Sequence, residues 1–334
     1  MAQMTRIAPS ISVPGLLVPN VQQVPFERYI GHKTQLGSLG KEQAYITLVS
    51  NINSETQVGQ QWGSRMAKQT YTLGQLGVPY YRIEAYVEYN VDEQAKFEEL
   101  SNGVALPDFL ENLAKQGINQ RRHQAILYGF DSTNGLNQGI LANATQVSLP
   151  ADSAGSQKLT TYVPEELQEF LAMVVRRAMD TTYGMAKPAV IASSQRVINY
   201  LSSTIIPLMQ SQQKGGGVDT IRGLFSRVVG EWLGVGAIEF VADATLEGSG
   251  SNGADKIVFI APGLDEQTAG DEEGVNLVGK YNGINYNTWY DSAEGLMRFD
   301  APPSMGTFGA KYTLKMTPGV TLRSEAVQIV EIEY

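Results

Sequence analysis

The sequence predicts an α+β fold, with helices grouped in the middle of the chain and strands toward both ends. Two helical patterns, which begin at Pro107 and Pro164, are flanked by strand patterns on either side. Strands and helices do not alternate regularly, which argues against a doubly wound sheet. The length of 334 residues allows a large core, and because the chain has no cysteine, packing or partners must stabilise it.

Charge and composition exclude several classes of function. The net charge of −9 argues against a protein that coats nucleic acid or anionic lipid. Charged residues make up 18% of the chain, below the roughly 25% of typical soluble domains, so much of the surface is expected to meet other protein. No apolar run is long enough to span a membrane, and the first residues lack the features of a signal peptide. Synthesis in the cytoplasm is therefore expected.

The first part of the chain predicts an extended arm followed by a polar loop. Pro9, Pro14, Pro19 and Pro25 leave no room for a helix between them. The scattered apolar side chains of this arm need a surface to lie on, and a neighbouring subunit is the simplest one. Residues 42–76 are rich in Gln, Thr, Ser and Gly, and predict two weak strands and a long loop.

The segment 81–89 alternates between apolar and polar residues, which predicts a half-buried strand. Its polar face carries Arg82, Glu84, Tyr86 and Glu88. The opposite face is apolar and is expected to pack on the core.

A long helix is predicted from Pro107 to Tyr128. Proline is favoured at the first helical position, and Gly129 supplies the stop. Acidic residues near its start and arginines near its end suit the helix dipole. Gly117 interrupts the apolar period, so the helix can kink there.

The clearest pattern begins at Pro164, where apolar residues recur every three or four positions up to Thr182. This spacing predicts an amphipathic helix packed on a sheet or core. Residues 188–192 then predict a short buried strand, and Ser193 begins a third helix that continues to Leu201. The rest of the chain is strand-rich, with strands predicted over 237–241, 256–260, 285–290 and 327–334.

Residues 248–253 match the GxGxxG pattern of dinucleotide-binding loops. That function needs a helix directly after the loop, because the helix N-terminus binds the phosphates. Residues 256–260 predict a strand instead. A flexible hairpin loop is therefore favoured over a nucleotide site.

Other catalytic and metal-binding patterns are weak or absent. His32 and His123 are far apart in sequence, and surface or interface positions are expected for both. The acidic cluster over 265–273 lacks the alternating ligands of a calcium loop, which favours a solvated loop. GxSxG, Walker A and HExxH motifs do not occur. No catalytic, cofactor-binding or metal-ligating residue is assigned, and neither an enzyme nor a cofactor is expected.

The end of the first long helix carries the most distinctive string, Gln124 to Gly129 (QAILYG), followed by NGLNQGIL over 134–141. With the order of elements, this string resembles the major capsid proteins of tailed bacteriophages, whose fold is typified by phage HK97. Such proteins often end their spine helix in an ILYG-like stop and then carry a GLLN- or GILN-like turn. The chain departs from that turn at Ala142, and Asn143 arrives one position late.

The resemblance implies a division of the chain into an arm, a loop and two domains. The implied ranges are an N-terminal arm over 1–43, an extended loop (E-loop) over 44–79, a peripheral domain over 80–144 and 296–334 with its spine helix at 107–129, and an axial domain over 145–295. In this family the arm and loop reach over neighbours, and axial domains pack around hexamer and pentamer centres.

The implied function is self-assembly into the icosahedral head of a tailed phage. Hexamers and pentamers would enclose double-stranded DNA without sequence-specific binding, which suits the negative charge. A scaffolding protein, a portal and a decoration protein are the other implied partners. The implied location is the virion, without membrane contact, after synthesis in the host bacterium. Two alternatives stay open: an encapsulin-type nanocompartment shell protein, and an enzyme or carbohydrate-binding protein with an unrecognised site.

Deleting residues 1–25 is expected to impair assembly more than folding of the single subunit, because the arm is expected to lie on a neighbour. Electron microscopy of particle yield and circular dichroism of the unassembled chain would measure the two effects separately. Normal yield and stability of particles built from the truncated chain would contradict the predicted arm.

Overall fold

In the computed structural model, the described residues are 34–35, 43–55, 68–100, 105–130, 139–182, 184, 186–207, 218–226, 230–232, 237–261, 287–288, 290–291, 295–304, 306–321 and 324–334. Most of the predicted arm, His32, the acidic cluster over 265–273 and positions 131–138 lie outside them.

The described residues form helices and strands in an α+β arrangement, as predicted. The helices are α1 (Val91–Leu100), α2 (Leu106–Tyr128), α3 (Pro164–Thr181), α4 (Gln195–Ser203), α5 (Ile221–Leu224) and α6 (Gly230–Trp232). The strands are β1 (Thr34–Gln35), β2 (Gln43–Glu55), β3 (Lys68–Pro79), β4 (Tyr81–Asn90), β5 (Thr145–Gln146), β6 (Val190–Ser193), β7 (Ile205–Pro207), β8 (Val218–Thr220), β9 (Glu239–Ala242), β10 (Asp255–Ile260), β11 (Asn287–Thr288), β12 (Tyr290–Asp291), β13 (Met297–Ser304), β14 (Thr307–Met316), β15 (Val320–Thr321) and β16 (Val327–Ile332).

The first of two five-stranded sheets, called here the outer sheet, has β14 at its centre. β14 pairs antiparallel with β4 along one edge, and with β13 and β12 along the other. The alternation predicted for residues 81–89 is confirmed, because Ile83 is buried while Arg82 and Glu84 are exposed. Helix α2 packs against β4 and β14, and runs without a break through Gly117.

The second sheet, called here the central sheet, has the strand order β5-β16-β10-β6-β9. Its strands are apolar on both faces, so successive residues fill two different cores. Val258 and Ile260 of β10 join the cluster that contains the end of α2, whereas Ile257 and Phe259 join the cluster beneath α3 and α4. The period predicted for α3 is confirmed, since Leu167, Leu171, Val174, Val175 and Ala178 are buried.

The C-terminal end of α2 is buried, and backbone N–H groups from distant segments cap it. Ile140 N–H donates to the Ile126 carbonyl at 2.9 Å, and Leu141 N–H donates to the Leu127 carbonyl at 3.1 Å. Gly129 N–H donates to Ala125 at 3.0 Å. The last carbonyls of a helix have no partner within the helix, so a buried helix end needs such donors.

Two glycines make this cap sterically feasible. Gly139 has φ +75°, and a Cβ on it would lie 2.4 Å from the Leu127 carbonyl oxygen. A Cβ on Gly319 would lie 2.3 Å from the Ile126 carbonyl oxygen. Neither position can hold a larger residue without moving the helix end or its cap.

β16 pairs with β10 and β5 in the central sheet, and its alternate side chains fill both cores. Two features differ from the sequence predictions. The GxGxxG loop is not a hairpin, since β6 separates β9 from β10. Residues 251–253 of that loop form a turn in which Asn252 has a left-handed backbone conformation, with φ 55°. No helix or strand was predicted from the sequence at the positions of α1, β13 and β14.

We expect Gly139→Ala to lower the free energy of unfolding by more than about 2 kcal/mol. Alanine is strained at this positive φ, and its Cβ would clash with the Leu127 carbonyl. Gly117→Ala is the matched control. Gly117 is exposed within α2, and a Cβ on it would have no other atom within 4 Å. Gly117→Ala should raise the free energy of unfolding by about 0.5–1 kcal/mol. Urea denaturation of the unassembled chain measures the free energy of unfolding of both variants. Equal stability of the two would contradict the role assigned to Gly139 in the cap.

Candidate assembly surfaces

Strands β2 and β3 form a two-stranded ribbon that no other described strand joins. β2 has 13 residues, which corresponds to about 40 Å of extended chain. The pairing runs from Gln43 opposite Pro79 to Glu55 opposite Lys68, with an irregularity after Ser50. The two predicted strands are therefore present and longer than expected. An isolated two-stranded ribbon is marginally stable in water, so a ribbon of this length calls for a supporting surface.

The face of the outer sheet away from α2 exposes a row of side chains, called here the aromatic row. Tyr86 of β4 is 61% exposed and Phe299 of β13 is 50% exposed. Both lie opposite Lys311 of β14 in the strand register, so the three residues cross the sheet in one line. Lys311 Nζ lies 2.8 Å from a Glu84 carboxylate oxygen, and this hydrogen bond lowers the pKa of Glu84.

Gly309 provides the space in which the Tyr86 ring lies. A Cβ on Gly309 would come within 2.7 Å of the Tyr86 hydroxyl oxygen. The sequence contained part of the signal for this row, because Tyr86 was predicted on an otherwise charged face. Phe299 could not be placed beside it from the sequence, since β13 and its register with β14 were not predicted. Exposed aromatic side chains that are partly framed by charges are typical of protein contact surfaces.

The prediction that His123 is a surface or interface residue is wrong. His123 is fully buried, and its Nε2 lies 2.7 Å from Oδ2 of Asp243, which is also buried. The other Asp243 oxygen accepts from the backbone N–H and the hydroxyl of Thr245. This contact joins α2 to the turn after β9, and it links residues 120 positions apart. A buried histidine is stable here because a carboxylate accepts its hydrogen bond.

The GxGxxG loop is fixed by a buried carboxylate at the start of β10. Asp255 accepts hydrogen bonds from the backbone N–H of Gly248 at 2.8 Å and from Nε of Arg196 at 2.6 Å. The Ser194 hydroxyl donates to the same carboxylate. Burial acts to raise the pKa of Asp255, but these hydrogen bonds outweigh it and hold the pKa below its ordinary value. The loop amide therefore donates to an internal carboxylate, and the strand predicted directly after the loop is confirmed as β10.

The described residues show no arrangement typical of a metal centre or a membrane segment. Across the described ranges, no three His, Asp or Glu side chains are grouped so that they could hold a metal ion. No helix in the same ranges combines the length and apolar character needed to cross a membrane. The exposed surfaces are therefore the features to compare with known proteins.

Comparison of the sequence finds no matching protein-family model and no matching curated protein. Comparison of the fold gives matches over nearly the whole chain. The capsid of Myoviridae phage XM1 has a TM-score of 0.68 at 10% sequence identity, covering 98% of this chain and 97% of that one. A structure from Gordonia phage Cozz has a TM-score of 0.60 at 11% identity, covering 98% and 92%. The chain has the HK97-like capsid fold.

A further match with the capsid fold is the holo-SrpI encapsulin complex from Synechococcus elongatus PCC 7942. Its TM-score is 0.51 at 13% identity, covering 96% of this chain and 93% of that one. The capsid fold also explains the distinctive string found in the sequence. Residues 124–129 end α2, and Ile140 and Leu141 supply the amides that cap it. The string QAILYG thus forms the end of α2, and the last two residues of NGLNQGIL cap it.

We expect Asp255→Asn to lower the free energy of unfolding by about 2 kcal/mol or more at neutral pH, because it weakens hydrogen bonds to a charged acceptor. A carboxyl whose folded pKa is lowered stabilises the fold above its unfolded pKa, and this stabilisation is lost as pH falls through the folded pKa. The variant should therefore lose less stability between pH 7 and acidic pH.

Asp300→Asn is the control for this prediction. Asp300 pairs with Arg298 at 2.7 Å, but its side chain is largely exposed, so the substitution should change stability by less than about 1 kcal/mol. Thermal unfolding followed across the acidic pH range compares the two variants with the unaltered chain. Parallel pH curves for Asp255→Asn and the unaltered chain would contradict the role assigned to Asp255.

Proposed function

We propose that the chain is the major capsid protein of a tailed phage, and that its copies assemble as hexamers and pentamers into the icosahedral head. The observation that carries this proposal is the fold match to the capsid of Myoviridae phage XM1 across 98% of the chain. The aromatic row supports it, because Tyr86 and Phe299 are exposed on the single subunit. The ribbon also supports it, because no other described strand pairs with it. On this proposal the protein is structural and has no enzymatic role.

The proposed parts of the subunit follow the two sheets. The outer sheet and α2 form the peripheral domain, and the central sheet with α3 and α4 forms the axial domain, which includes β16. The β2–β3 ribbon is the extended loop, and residues 1–43 are the arm that reaches a neighbour. The aromatic row is a surface on which part of a neighbouring copy lies.

The chemistry of the proposed shell fits a container for DNA. A net charge of −9 gives the packaged polymer no strong electrostatic hold, so the DNA can be enclosed without being condensed on the wall. The location on this proposal is the virion, after synthesis in the bacterial host. A separate scaffolding protein, a portal and a decoration protein are the proposed partners besides the chain itself.

A second candidate is an encapsulin-type shell that encloses protein cargo. The specific observation in its favour is the match to the SrpI encapsulin complex at a TM-score of 0.51. The match to the phage XM1 capsid is higher at 0.68, which favours the phage head. The contents of the native particle separate the two candidates, since one encloses DNA and the other encloses an enzyme.

Cryo-electron microscopy of particles purified from cells that express the chain tests the proposal directly. Closed icosahedral shells are expected, built from rings of five and six copies. Co-expression with neighbouring phage head genes should yield shells that package DNA. A chain that stays monomeric or dimeric under every assembly condition, and turns over a small-molecule substrate in that state, would contradict the proposal.

We expect the double variant Tyr86→Ser and Phe299→Ser to reduce the yield of closed particles by about tenfold or more, because aromatic anchors contribute most to protein contacts. The free energy of unfolding of the unassembled chain should change by less than about 1 kcal/mol, since both side chains are exposed. Leu113→Ser is the control, because Leu113 is also exposed but lies on α2, away from the row. Sucrose-gradient sedimentation measures particle yield. Unchanged yield for the double variant would exclude the row as an assembly surface.

A further inference from the structure

The outer face of α3 carries two exposed glutamates in its first half, Glu165 and Glu169, and the exposed Arg176 and Arg177 follow in its second half. Glu165 and Glu169 are exposed and lie four positions apart, so they repel each other. Neither carboxylate has an ion-pair partner among the described residues. The helix N-terminus favours Glu165 in the first turn, but this effect fades before the second turn, where Glu169 lies. Glu169 therefore adds repulsion that no ion pair with a described residue offsets.

An exposed cation without a carboxylate partner among the described residues lies elsewhere in the layer of helices that covers this face of the central sheet. Arg222 is exposed in α5, and its guanidinium lies 5.8 Å from the ring centroid of Phe240 in β9. It makes one long hydrogen bond to the Ser202 hydroxyl at 3.4 Å. In the part of the chain that the structure describes, no carboxylate pairs with it. The Phe240 ring thus holds the cation in place while its charge stays available.

The central sheet places these charges on opposite sides of one helix layer. Helix α3 lies over β16, because the Gln328 amide reaches the Val174 carbonyl at 2.9 Å and the Ala178 N–H at 3.0 Å. Helix α5 lies over β9, where Phe225 directly after it packs edge-on against Phe240. Strands β10 and β6 stand between β16 and β9, which separates the two sides by about 14 Å.

We propose that α3 of one copy binds the β9 side of the next copy in a ring, with Glu165 and Glu169 facing Arg222. A ring contact joins two different surfaces of the same chain, and charges of opposite sign on opposite sides of one layer fit that geometry. Met173 lies on the same exposed face of α3 and adds apolar area. This inference rests on the proposed assembly into rings and names the residues that would hold one ring contact.

Charge reversal tests the pairing. Glu169→Arg and Arg222→Glu are each expected to lower the yield of closed particles by about tenfold or more, because like charges then face each other at every ring contact. The double variant should recover most of the yield. Glu169→Arg also removes the repulsion with Glu165, so the unassembled variant should be at least as stable as the unaltered chain. A merely structural role for Glu169 would predict lower stability instead.

Glu99→Arg is the matched control, because Glu99 is an exposed glutamate on α1 without an ion-pair partner among the described residues. This control should leave the particle yield unchanged. A double variant that assembles no better than either single reversal would overturn the pairing.

The absence of cysteine from the chain allows a second test by thiol-specific crosslinking. Assembled particles of the double variant Glu169→Cys and Arg222→Cys should form a ladder of linked chains after reaction with a bismaleimide crosslinker that spans the length of a Glu–Arg pair, ending at five and six copies. Either single cysteine variant should stay monomeric on a denaturing gel. Dimers from the Glu169→Cys variant alone would indicate a two-fold contact and overturn the ring contact. Particles that form without a ladder would contradict this inference alone, whereas absence of particles from the unaltered chain would contradict the proposed function as well.

Discussion

The buried end of α2 is the constraint on which the rest of the fold depends. A helix that ends inside a core leaves carbonyl groups that water cannot reach, and each costs free energy unless a donor is supplied. The donors come from Ile140 and Leu141, after a glycine that tolerates the close approach. The same turn of helix contributes Ala125, Ile126 and Leu127 to the core shared by both sheets. The cap therefore fixes the outer sheet and the central sheet to one rigid element.

The elements that could be predicted from the sequence are those whose signal is local. β4 and α3 alternate at the strand and helix periods, and α2 has proline at its start and glycine at its stop. β13 and β14 escaped individual prediction because their pairing with each other and with β4 depends on register rather than composition. Helix α1 has few apolar residues, so its period gave no signal. For His123, burial depends on a carboxylate 120 positions away, which no local pattern reveals.

The exposed surfaces could be predicted from the sequence less well than the core. Tyr86 stood out in the sequence as an aromatic residue on a charged face, but its row with Lys311 and Phe299 exists only through the register of three strands. Likewise, the charges of α3 were visible as an ordinary dipole pattern. That Glu165 and Glu169 have no ion-pair partner among the described residues appears only when the surrounding side chains are placed. At 10% identity to the phage XM1 capsid, what is shared is a packing scheme, since few individual side chains are the same.

The position of β16 in the central sheet has a consequence for how the chain is made. Residues 327–332 form the second strand of this sheet, between β5 and β10, although they are synthesised after all the other strands of the sheet. A nascent chain that stops before residue 327 leaves β10 with an unpaired edge and both cores open to water. Such a chain cannot complete the central sheet. Closure of both cores therefore waits for the translation of residues 327–332, because their alternate side chains fill the two clusters.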